Sequence, residues 1–151
     1  MKIRRYSSVD FNEIAELFYN TVHLINIKDY SKEQVNVWAT GEIDYEKWNK
    51  SLEEHYSIVV IENEVIIGFG DIDDTGYLDR IYVHKDYQSR GVGTLICNEL
   101  ERKCKTENIL VHASITAKPF FEGRGYRVIK EQEVERNGVK LKNFIMKKEN
   151  N

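Results

Sequence analysis

A glycine-containing segment, residues 88–94 (QSRGVGT), lies between the strand-like run Tyr77–Val83 and a helical pattern over residues 94–103. A strand that enters such a loop and then a helix gathers several backbone N–H groups at one point, where the helix dipole adds roughly half a positive charge. That corner binds phosphate without a long basic side chain. Gly91 and Gly93 let the backbone approach a ligand and adopt φ values that a Cβ would penalise. The segment predicts a phosphate or pyrophosphate site at the start of a helix.

The length of the chain and its charge limit the classes of protein to which it can belong. Its 151 residues suit a single domain spanning 1–151. The net charge of −3 gives no bulk attraction to nucleic acid. No apolar run approaches the roughly 20 residues of a membrane helix, and polar residues follow the N-terminus where a secretion signal would be apolar. We therefore expect a cytoplasmic protein with no nucleic acid and no membrane partner.

The two cysteines, Cys97 and Cys104, lie seven residues apart on the same predicted helix. Two helical turns separate them by about 10 Å, which is too far for a disulfide. Neither has another Cys or a His at the spacing of metal ligands. Two reduced thiols and no metal are expected, with a reactive or metal-bound cysteine as the alternative.

Hydrophobic periodicity and turn signals predict the order of the elements. The Asn137-Gly138 dipeptide favours the type I′ turn of a hairpin. A strand–helix–strand crossover within an otherwise antiparallel sheet predicts a mixed α+β fold with helices on its faces. The predicted strands cover residues 3–6, 56–61, 65–70, 76–83, 109–113, 127–136 and 139–147. The predicted helices cover residues 11–24 after a Ser7/Asp10 capping box, 31–38, one or two turns within 44–54, 94–103, and a short helix that begins near Pro119.

Two spaced motifs resemble those of the GCN5-related N-acetyltransferase (GNAT) family. The first is Gln88-x-x-Gly91-x-Gly93 after the fourth strand, and the second is Ala117-x-x-Phe120-Phe121-Glu122-x-x-Gly125-Tyr126. The likeness covers nearly the whole chain, and its N-terminal part is most similar to a bacterial branch of uncharacterised members. The resemblance implies a mostly antiparallel sheet in which strands 4 and 5 splay apart. It also implies acetyl-CoA as cosubstrate.

The resemblance assigns the cofactor-binding residues. Pantetheine would lie in the gap and pair with the fourth strand, and residues 88–94 would wrap the pyrophosphate. The third glycine of a dinucleotide fingerprint and the Gly-Lys-Ser/Thr of a P-loop are both missing, which argues against other nucleotide folds. The residues assigned to the cofactor are Ile81, Tyr82, Val83, Gln88, Ser89, Arg90, Gly91, Val92, Gly93, Thr94, Ser114, Lys118 and Phe121.

Acetyl transfer to an amine needs a proton acceptor, because an ordinary amine is protonated at pH 7. Family members often use a Glu on the fourth or fifth strand. Asp79 on the fourth strand and His112 on the fifth are the candidates here, and the sequence does not choose between them. Strand alternation predicts that Asp79 shares one face with Tyr77, Ile81 and Val83, and that the other face carries Leu78, Arg80 and Tyr82.

Phe121 departs from the family, since many members place a Tyr there whose hydroxyl protonates the leaving thiolate. Phenylalanine cannot donate a proton, although a thiolate is a tolerable leaving group. Tyr126, Tyr87, Ser114 and Thr116 carry hydroxyls that could substitute, and packing or capping explains each of them more readily.

The early helices would form the acceptor wall, where Tyr19, His23, Tyr30 and Trp38 suit a cationic or apolar amine. We therefore expect acetyl transfer to the primary amine of a small molecule by direct attack in a ternary complex. The alternatives are acetylation of a protein N-terminus or lysine, and a non-catalytic CoA-binding sensor, which Phe121 keeps open. The terminal hairpin and the second helix could form a homodimer contact.

Overall fold

The computed structural model describes residues 1–150. Its seven strands form one sheet in the order β1-β2-β3-β4-β5-β7-β6. The strands are β1 (Lys2–Arg5), β2 (Tyr56–Glu62), β3 (Val65–Ile72), β4 (Tyr77–Val83), β5 (Asn108–Ser114), β6 (Arg127–Arg136) and β7 (Val139–Glu149). The helices are α1 (Phe11–Leu24), α2 (Lys32–Trp38), α3 (Tyr45–Glu54), α4 (Val92–Lys103) and α5 (Lys118–Gly123).

The pairing confirms the predicted mixed α+β fold. Strands β1 to β4 pair antiparallel in sequence, β4 and β5 pair parallel, and β7 joins β5 to β6 by antiparallel pairing. Asn137 and Gly138 both adopt positive φ, 49° and 80°, as the type I′ turn of the last hairpin requires. Among residues 1–150, no helix combines the length and hydrophobicity needed to cross a bilayer.

Helices cover both faces of the sheet and create two apolar cores. One core lies under α4 and α5, and Ile96, Leu100 and Phe121 are fully buried in it. The other lies under α1, α2 and α3, where Phe69, Ile14 and Leu52 are the largest fully buried side chains. Burial on both faces explains why β2 and β3 are nearly continuous apolar runs.

Two glycines of β3 bring α4 close to the sheet. A Cβ on Gly68 would lie 2.7 Å from the Val92 side chain, and one on Gly70 would lie 2.7 Å from Ile96. Side chains at these positions would push the helix away from the strand. The glycines therefore fix the height at which the first turn of α4 sits over β4.

The helical boundaries differ from the prediction in two places. Helix α4 begins at Val92, two residues before the predicted start. Helix α3 runs for 10 residues, longer than the predicted turn or two, after an Asp44 side chain that caps it by accepting from the Lys47 N–H at 3.2 Å.

The predicted alternation along β4 is wrong at its start because the strand contains a β-bulge. Asp71 of β3 pairs with Arg80, but the next residue, Ile72, pairs with Leu78, so Asp79 has no partner in the ladder. The extra residue moves Leu78 into the core under α4, which is also the core that Ile81 and Val83 contact. Leu78 therefore does not share a face with Tyr82, which packs in the opposite core.

Candidate active site

Strands β4 and β5 pair at only two positions, Tyr77 with Leu110 and Leu78 with Val111. Beyond Leu78 the two strands diverge, and a cleft of about 550 Å³ opens between them. Ile81, Tyr82 and Val83 of β4 line one wall, and their pairing with pantetheine stays a prediction. The other wall comes from the second half of β5 and the first turn of α5.

The predicted phosphate corner lies at one end of this cleft. Gly91 is the N-cap of α4 with φ +84°, and within the described chain no side chain caps the helix. Val92, Gly93 and Thr94 form the first turn of α4 and line the cleft. An uncapped helix start offers free N–H donors and the positive end of the helix dipole. The arrangement suits an anionic group such as a diphosphate.

The side chain of Gln88 supports the loop. Its Nε2 donates to the carbonyl oxygen of Val83 at 2.8 Å and to that of His84 at 3.3 Å. Thr21 of α1 donates its hydroxyl to the same Val83 oxygen at 2.8 Å. The end of β4 is therefore held by side chains from two directions, and Gln88 offers a ligand its backbone more readily than its amide.

The two basic residues assigned to the CoA phosphates do not line the cleft. The Arg90 guanidinium lies 5.0 Å from the centre of the Tyr87 ring, and Lys118 lies 5.1 Å from the Phe144 ring while pairing with Glu122 at 3.5 Å. Their contact with a CoA phosphate stays a prediction.

Both candidate bases reach the cleft. Asp79 stands one residue after the last β4–β5 pair, with 31% of its side chain exposed. Burial raises the pKa of Asp79 against the opposing effect of the neighbouring Arg80 cation. His112 is exposed on β5, with its ring against Tyr77 at a centroid distance of 5.1 Å. A carboxylate with a raised pKa is a better proton acceptor than an ordinary one.

The hydroxyls that could replace the missing tyrosine differ in availability. Phe121 lines the cleft and is fully buried, and Ser114 accepts from the Ala117 N–H at 3.0 Å. Tyr126 is buried, does not line the cleft, and donates to Glu101 at 2.9 Å, and its pKa is raised by burial. The Thr116 hydroxyl lies at the cleft and is buried without a hydrogen-bond partner within residues 1–150. Thr116 is therefore the better placed donor, and Tyr126 is engaged elsewhere.

Of the four residues predicted for the acceptor wall, Trp38 lines the cleft. Its indole N–H donates to the Tyr82 hydroxyl at 3.2 Å. Tyr30 is buried, donating to the Lys142 carbonyl at 2.6 Å and accepting from the Ile115 N–H at 2.9 Å. Tyr19 stacks on His23 at 4.1 Å, and neither of them lines the cleft.

Sequence reasoning missed the residues that follow α1. Ile25, Asn26 and Lys28 line the cleft together with Thr21. They sit in the helix end and the 3₁₀ turn after it, where no period or motif marks them.

Sequence reasoning also missed a charged cluster behind Asp79. Asp71, fully buried on β3, accepts from Arg80 Nη1 at 2.6 Å and lies 2.7 Å from His55 Nδ1. The hydrogen bond to Asp71 raises the pKa of His55. An ionisable residue inside the apolar run of β3 was the available signal, since a buried carboxylate is rarely left unpaired.

The fold and the cleft together define an acyltransferase of the kind that binds an acyl-CoA between two diverging strands. The sequence comparison agrees, because the pattern described as "Acetyltransferase (GNAT) domain" matches residues 26–149. The chain belongs to the GNAT family and is a GNAT-type N-acetyltransferase. It is 35% identical to the uncharacterised N-acetyltransferase YafP of Escherichia coli (strain K12) over 97% of this chain and 95% of that one.

Solved structures show the same fold. A GCN5-related N-acetyltransferase from Rhodopseudomonas palustris superposes with a TM-score of 0.94 at 30% identity, covering 98% of this chain and 94% of that one. The PaiA N-acetyltransferase of Thermoplasma acidophilum, solved in complex with coenzyme A, gives a TM-score of 0.77 at 18% identity over 98% of both chains. The predicted family and fold are thereby confirmed.

Proposed function

We propose that this protein transfers the acetyl group of acetyl-CoA to the primary amine of a small molecule by direct attack in a ternary complex. The observation that carries the proposal is the opening of β4 from β5 immediately before Asp79, with the uncapped start of α4 in the same cleft. The end of the cleft at the start of α4 suits the diphosphate, and the end at Asp79 suits the amine. The complex of the Thermoplasma protein with coenzyme A supports this choice of cosubstrate.

The reaction uses groups that the cleft supplies. The bound ammonium gives a proton to Asp79, and its nitrogen then forms a bond to the thioester carbonyl carbon. A backbone N–H of β4 stabilises the oxyanion. The carbon–sulfur bond breaks as the nitrogen loses its second proton. The Thr116 hydroxyl, which lines the cleft without a partner in the described residues, can relay this proton: it accepts the proton from the nitrogen side and donates its own to the thiolate. Asp79 then returns its proton to solvent.

Two features favour direct attack on a small amine. Neither cysteine is among the residues that line the cleft, so the cleft offers no thiol that could form an acetyl-cysteine intermediate. Asp79 is the one carboxylate in the lining formed by the described residues, and Trp38 and Tyr82 form an aromatic wall. A peptide acceptor would favour a longer acidic groove.

The test is thiol release from acetyl-CoA across a panel of small amines and lysine or N-terminal peptides, with products identified by mass. We expect turnover with small amines and intersecting initial-velocity lines, because both substrates must be bound together. Parallel lines would contradict direct attack, and turnover restricted to peptides would contradict the acceptor class. Asp79→Asn is expected to lower kcat/KM by about 10²-fold or more. If His112→Gln has that effect instead, His112 is the base.

We also propose that the protein is cytoplasmic. Both cysteines are free thiols, and Cys97 is buried in the core where burial raises its pKa to about 12. Two reduced thiols suit a reducing compartment.

A further inference from the structure

The bulge on β4 gives Asp79 its position at the cleft. Because Asp79 has no partner in the β3–β4 ladder, its backbone departs from the regular pleat directly after the last β4–β5 pair. Bulges commonly redirect a side chain beside an active site. The charged side chains on the other side of the Asp79 carboxylate, away from the cleft, then influence whether it is ionised.

Two basic side chains, Arg80 and His55, each lie near two carboxylates behind the cleft. Arg80 Nη1 lies 2.6 Å from Asp71 Oδ2 and 3.5 Å from Asp79 Oδ2. His55 Nδ1 lies 2.7 Å from the same Asp71 oxygen and 4.0 Å from the same Asp79 oxygen. These four residues, which we call the Asp79 cluster, come from the junction between α3 and β2 (His55), the end of β3 (Asp71) and the bulge of β4 (Asp79 and Arg80). The cluster therefore couples Asp79 to three side chains that do not line the cleft.

Arg80 is held in place by further contacts. Its Nη2 donates to the Ser51 hydroxyl at 2.7 Å, and the guanidinium lies 4.6 Å from the centre of the Trp48 ring. Because an arginine stays protonated in proteins, this charge is constant. The net charge of the cluster can then change only at His55 and the two aspartates.

A divalent cation is the competing occupant. His55, Asp71 and Asp79 offer ligand atoms that all lie within 4.8 Å of one another. However, Arg80 Nη1 already contacts both carboxylates, and a metal ion there would face a permanent positive charge. The geometry fits Arg80 and His55, rather than a metal ion, as the groups that balance the two carboxylate charges.

We propose that His55 and Asp71 are positioning residues for Asp79: Asp71 holds Arg80 and His55 beside the Asp79 carboxylate, and the charges of His55 and Asp71 act on the ionisation of Asp79 in opposite directions during acetyl transfer. This inference rests on the proposed function for its biological meaning. Its physical content, the coupling among the four side chains, can be measured without turnover.

The direction of each effect follows from the charges. Burial raises the pKa of Asp79, Arg80 lowers it, the Asp71 anion raises it and the His55 cation lowers it. The hydrogen bond that His55 donates to Asp71 raises the pKa of His55, so His55 is cationic in the acid range where a carboxyl titrates. Loss of the His55 charge should therefore raise the titration midpoint of Asp79, and loss of the Asp71 charge should lower it.

Other titratable groups surround Asp79 but do not reverse this expectation. Burial raises the pKa of Tyr77 to about 12, so this neighbour stays neutral. Asp73, in the turn before β4, adds a weaker anionic effect on Asp79. The groups that face the site are His55 at the end of α3, Asp71 of β3, Asp73 of the turn, Tyr77 and Arg80 of β4, and His112 of β5.

The experiment is a pH titration of the full-length protein with ¹³C-labelled aspartate carboxyl groups, in which Asp79→Asn identifies the Asp79 signal. We expect His55→Gln to raise the Asp79 midpoint by about one pH unit, and Asp71→Asn to lower it by about as much. His55→Lys retains the charge and should keep the midpoint near that of the original protein. If Asp71→Asn fails to fold, His55→Gln and His55→Lys decide the outcome, because His55 is at the edge of the cluster with 19% of its side chain exposed.

Asp10→Asn is the matched control. Asp10 is also a buried aspartate bound by an arginine, with both oxygens 2.8 Å from Arg4 nitrogens, but it lies at the start of α1. The Asp10→Asn variant should lower the free energy of unfolding and leave the titration midpoint of Asp79 unchanged. Midpoints that do not move in either His55→Gln or Asp71→Asn would overturn the inference.

Kinetics separates this inference from the proposed function. The second measurement is the pH profile of kcat/KM with an amine that the panel identifies. Its acid limb should shift to higher pH in His55→Gln and to lower pH in Asp71→Asn, as the Asp79 midpoint does in the titration. Moved midpoints in a protein that acetylates no amine would reject the proposed function and keep the coupling. Full turnover with unmoved limbs and midpoints would reject the coupling and keep the function.

Discussion

Gly91 shows how one residue can serve a ligand without packing against anything. Its φ of +84° lies in the region that disfavours side chains, and a Cβ built there would meet no atom within 4 Å. The open space lies at the uncapped start of α4, where the diphosphate is expected. Glycine is therefore favoured at this position for two reasons: the backbone has a positive φ, and the expected ligand needs the space that a side chain would fill.

Gly91→Val is expected to destabilise the protein by about 1–2 kcal/mol, since a left-handed conformation strains a branched side chain. It should also raise the Kd for CoA at least about tenfold, a loss of roughly 1.4 kcal/mol, because the valine occupies the space that the ligand needs. Calorimetry with CoA measures the affinity, and thermal unfolding measures the strain.

Gly138→Val is a control with matched strain. Gly138 has φ +80° and the same open space, but it sits at the tip of the β6–β7 hairpin. The control should lose similar stability and keep its CoA affinity. Equal affinity in the Gly91 and Gly138 variants would contradict the placement of the diphosphate.

At the scale of elements, the position of α4 depends on the glycines of β3. The helix packs on Gly68 and Gly70 closely enough that a single methyl group at either one would collide with Val92 or Ile96. Val92 is also the first residue of α4 and lines the cleft. The distance between helix and sheet therefore sets the position of the N–H groups that would bind the diphosphate.

Gly70→Ala is expected to cost about 1–3 kcal/mol, because the new Cβ would lie 2.7 Å from Ile96 and 2.8 Å from the Arg80 carbonyl oxygen. Displacement of α4 should also weaken CoA binding severalfold. Gly123→Ala on α5, where a Cβ meets nothing within 4 Å, is the control and should be neutral or gain up to about 1 kcal/mol. Denaturant unfolding and CoA titration measure both effects, and an unchanged CoA affinity in Gly70→Ala would argue against this coupling.

At the scale of the molecule, Glu101 joins three parts of the chain under α4. Its carboxylate accepts from Arg124 after α5 at 2.8 Å, from Lys148 of β7 at 3.0 Å and from Tyr126 at 2.9 Å. Burial acts to raise the pKa of Glu101, but these three hydrogen bonds outweigh it and the net pKa is lowered. The lowered pKa means that the folded state favours the ionised carboxylate.

Glu101→Gln is expected to destabilise the protein at pH 7 by about 2 kcal/mol, the scale of a hydrogen bond to a charged group. The contribution of Glu101 is present above its ordinary pKa of 4.5 and is lost as the pH falls through the lowered value. The difference between the variant and the original protein should therefore shrink below about pH 4.5 in denaturant titrations.

Glu54→Gln is the surface control for this prediction. Glu54 pairs with Lys50 at 3.9 Å, and the two side chains are 62% and 78% exposed. Its removal should change stability by at most about 0.5 kcal/mol. A Glu101 variant as stable as this control at pH 7 would contradict the role given to Glu101.

The homodimer expected from the sequence stays a prediction. Strand β6 forms an edge of the sheet, and Val128 and Ile129 on it are 37% and 53% exposed. A second copy could cover them, and the mass in solution would decide.

The amino-acid sequence by itself determined the order of the elements and the glycine turn that leads into α4, because these depend on neighbours along the chain. Ser31 with Gln34 caps α2 as predicted, Asn137-Gly138 makes the hairpin turn, and Gly91 lies at the start of α4 with a positive φ. Capping, positive φ and periodicity are local energies that a short stretch of sequence contains in full. The resemblance carried by the two family motifs predicted, in addition, that strands β4 and β5 diverge.

Only the tertiary structure decided what surrounds the reactive carboxylate. The bulge at Asp79 arises from the register between β3 and β4, which reflects packing on both faces of the sheet and has no signal within β4 itself. Tertiary packing also turned Tyr30 into the interior and placed His55 beside Asp79, 24 positions away in the sequence. Such contacts join residues distant along the chain, and their energies exist only once the sheet and both cores have formed.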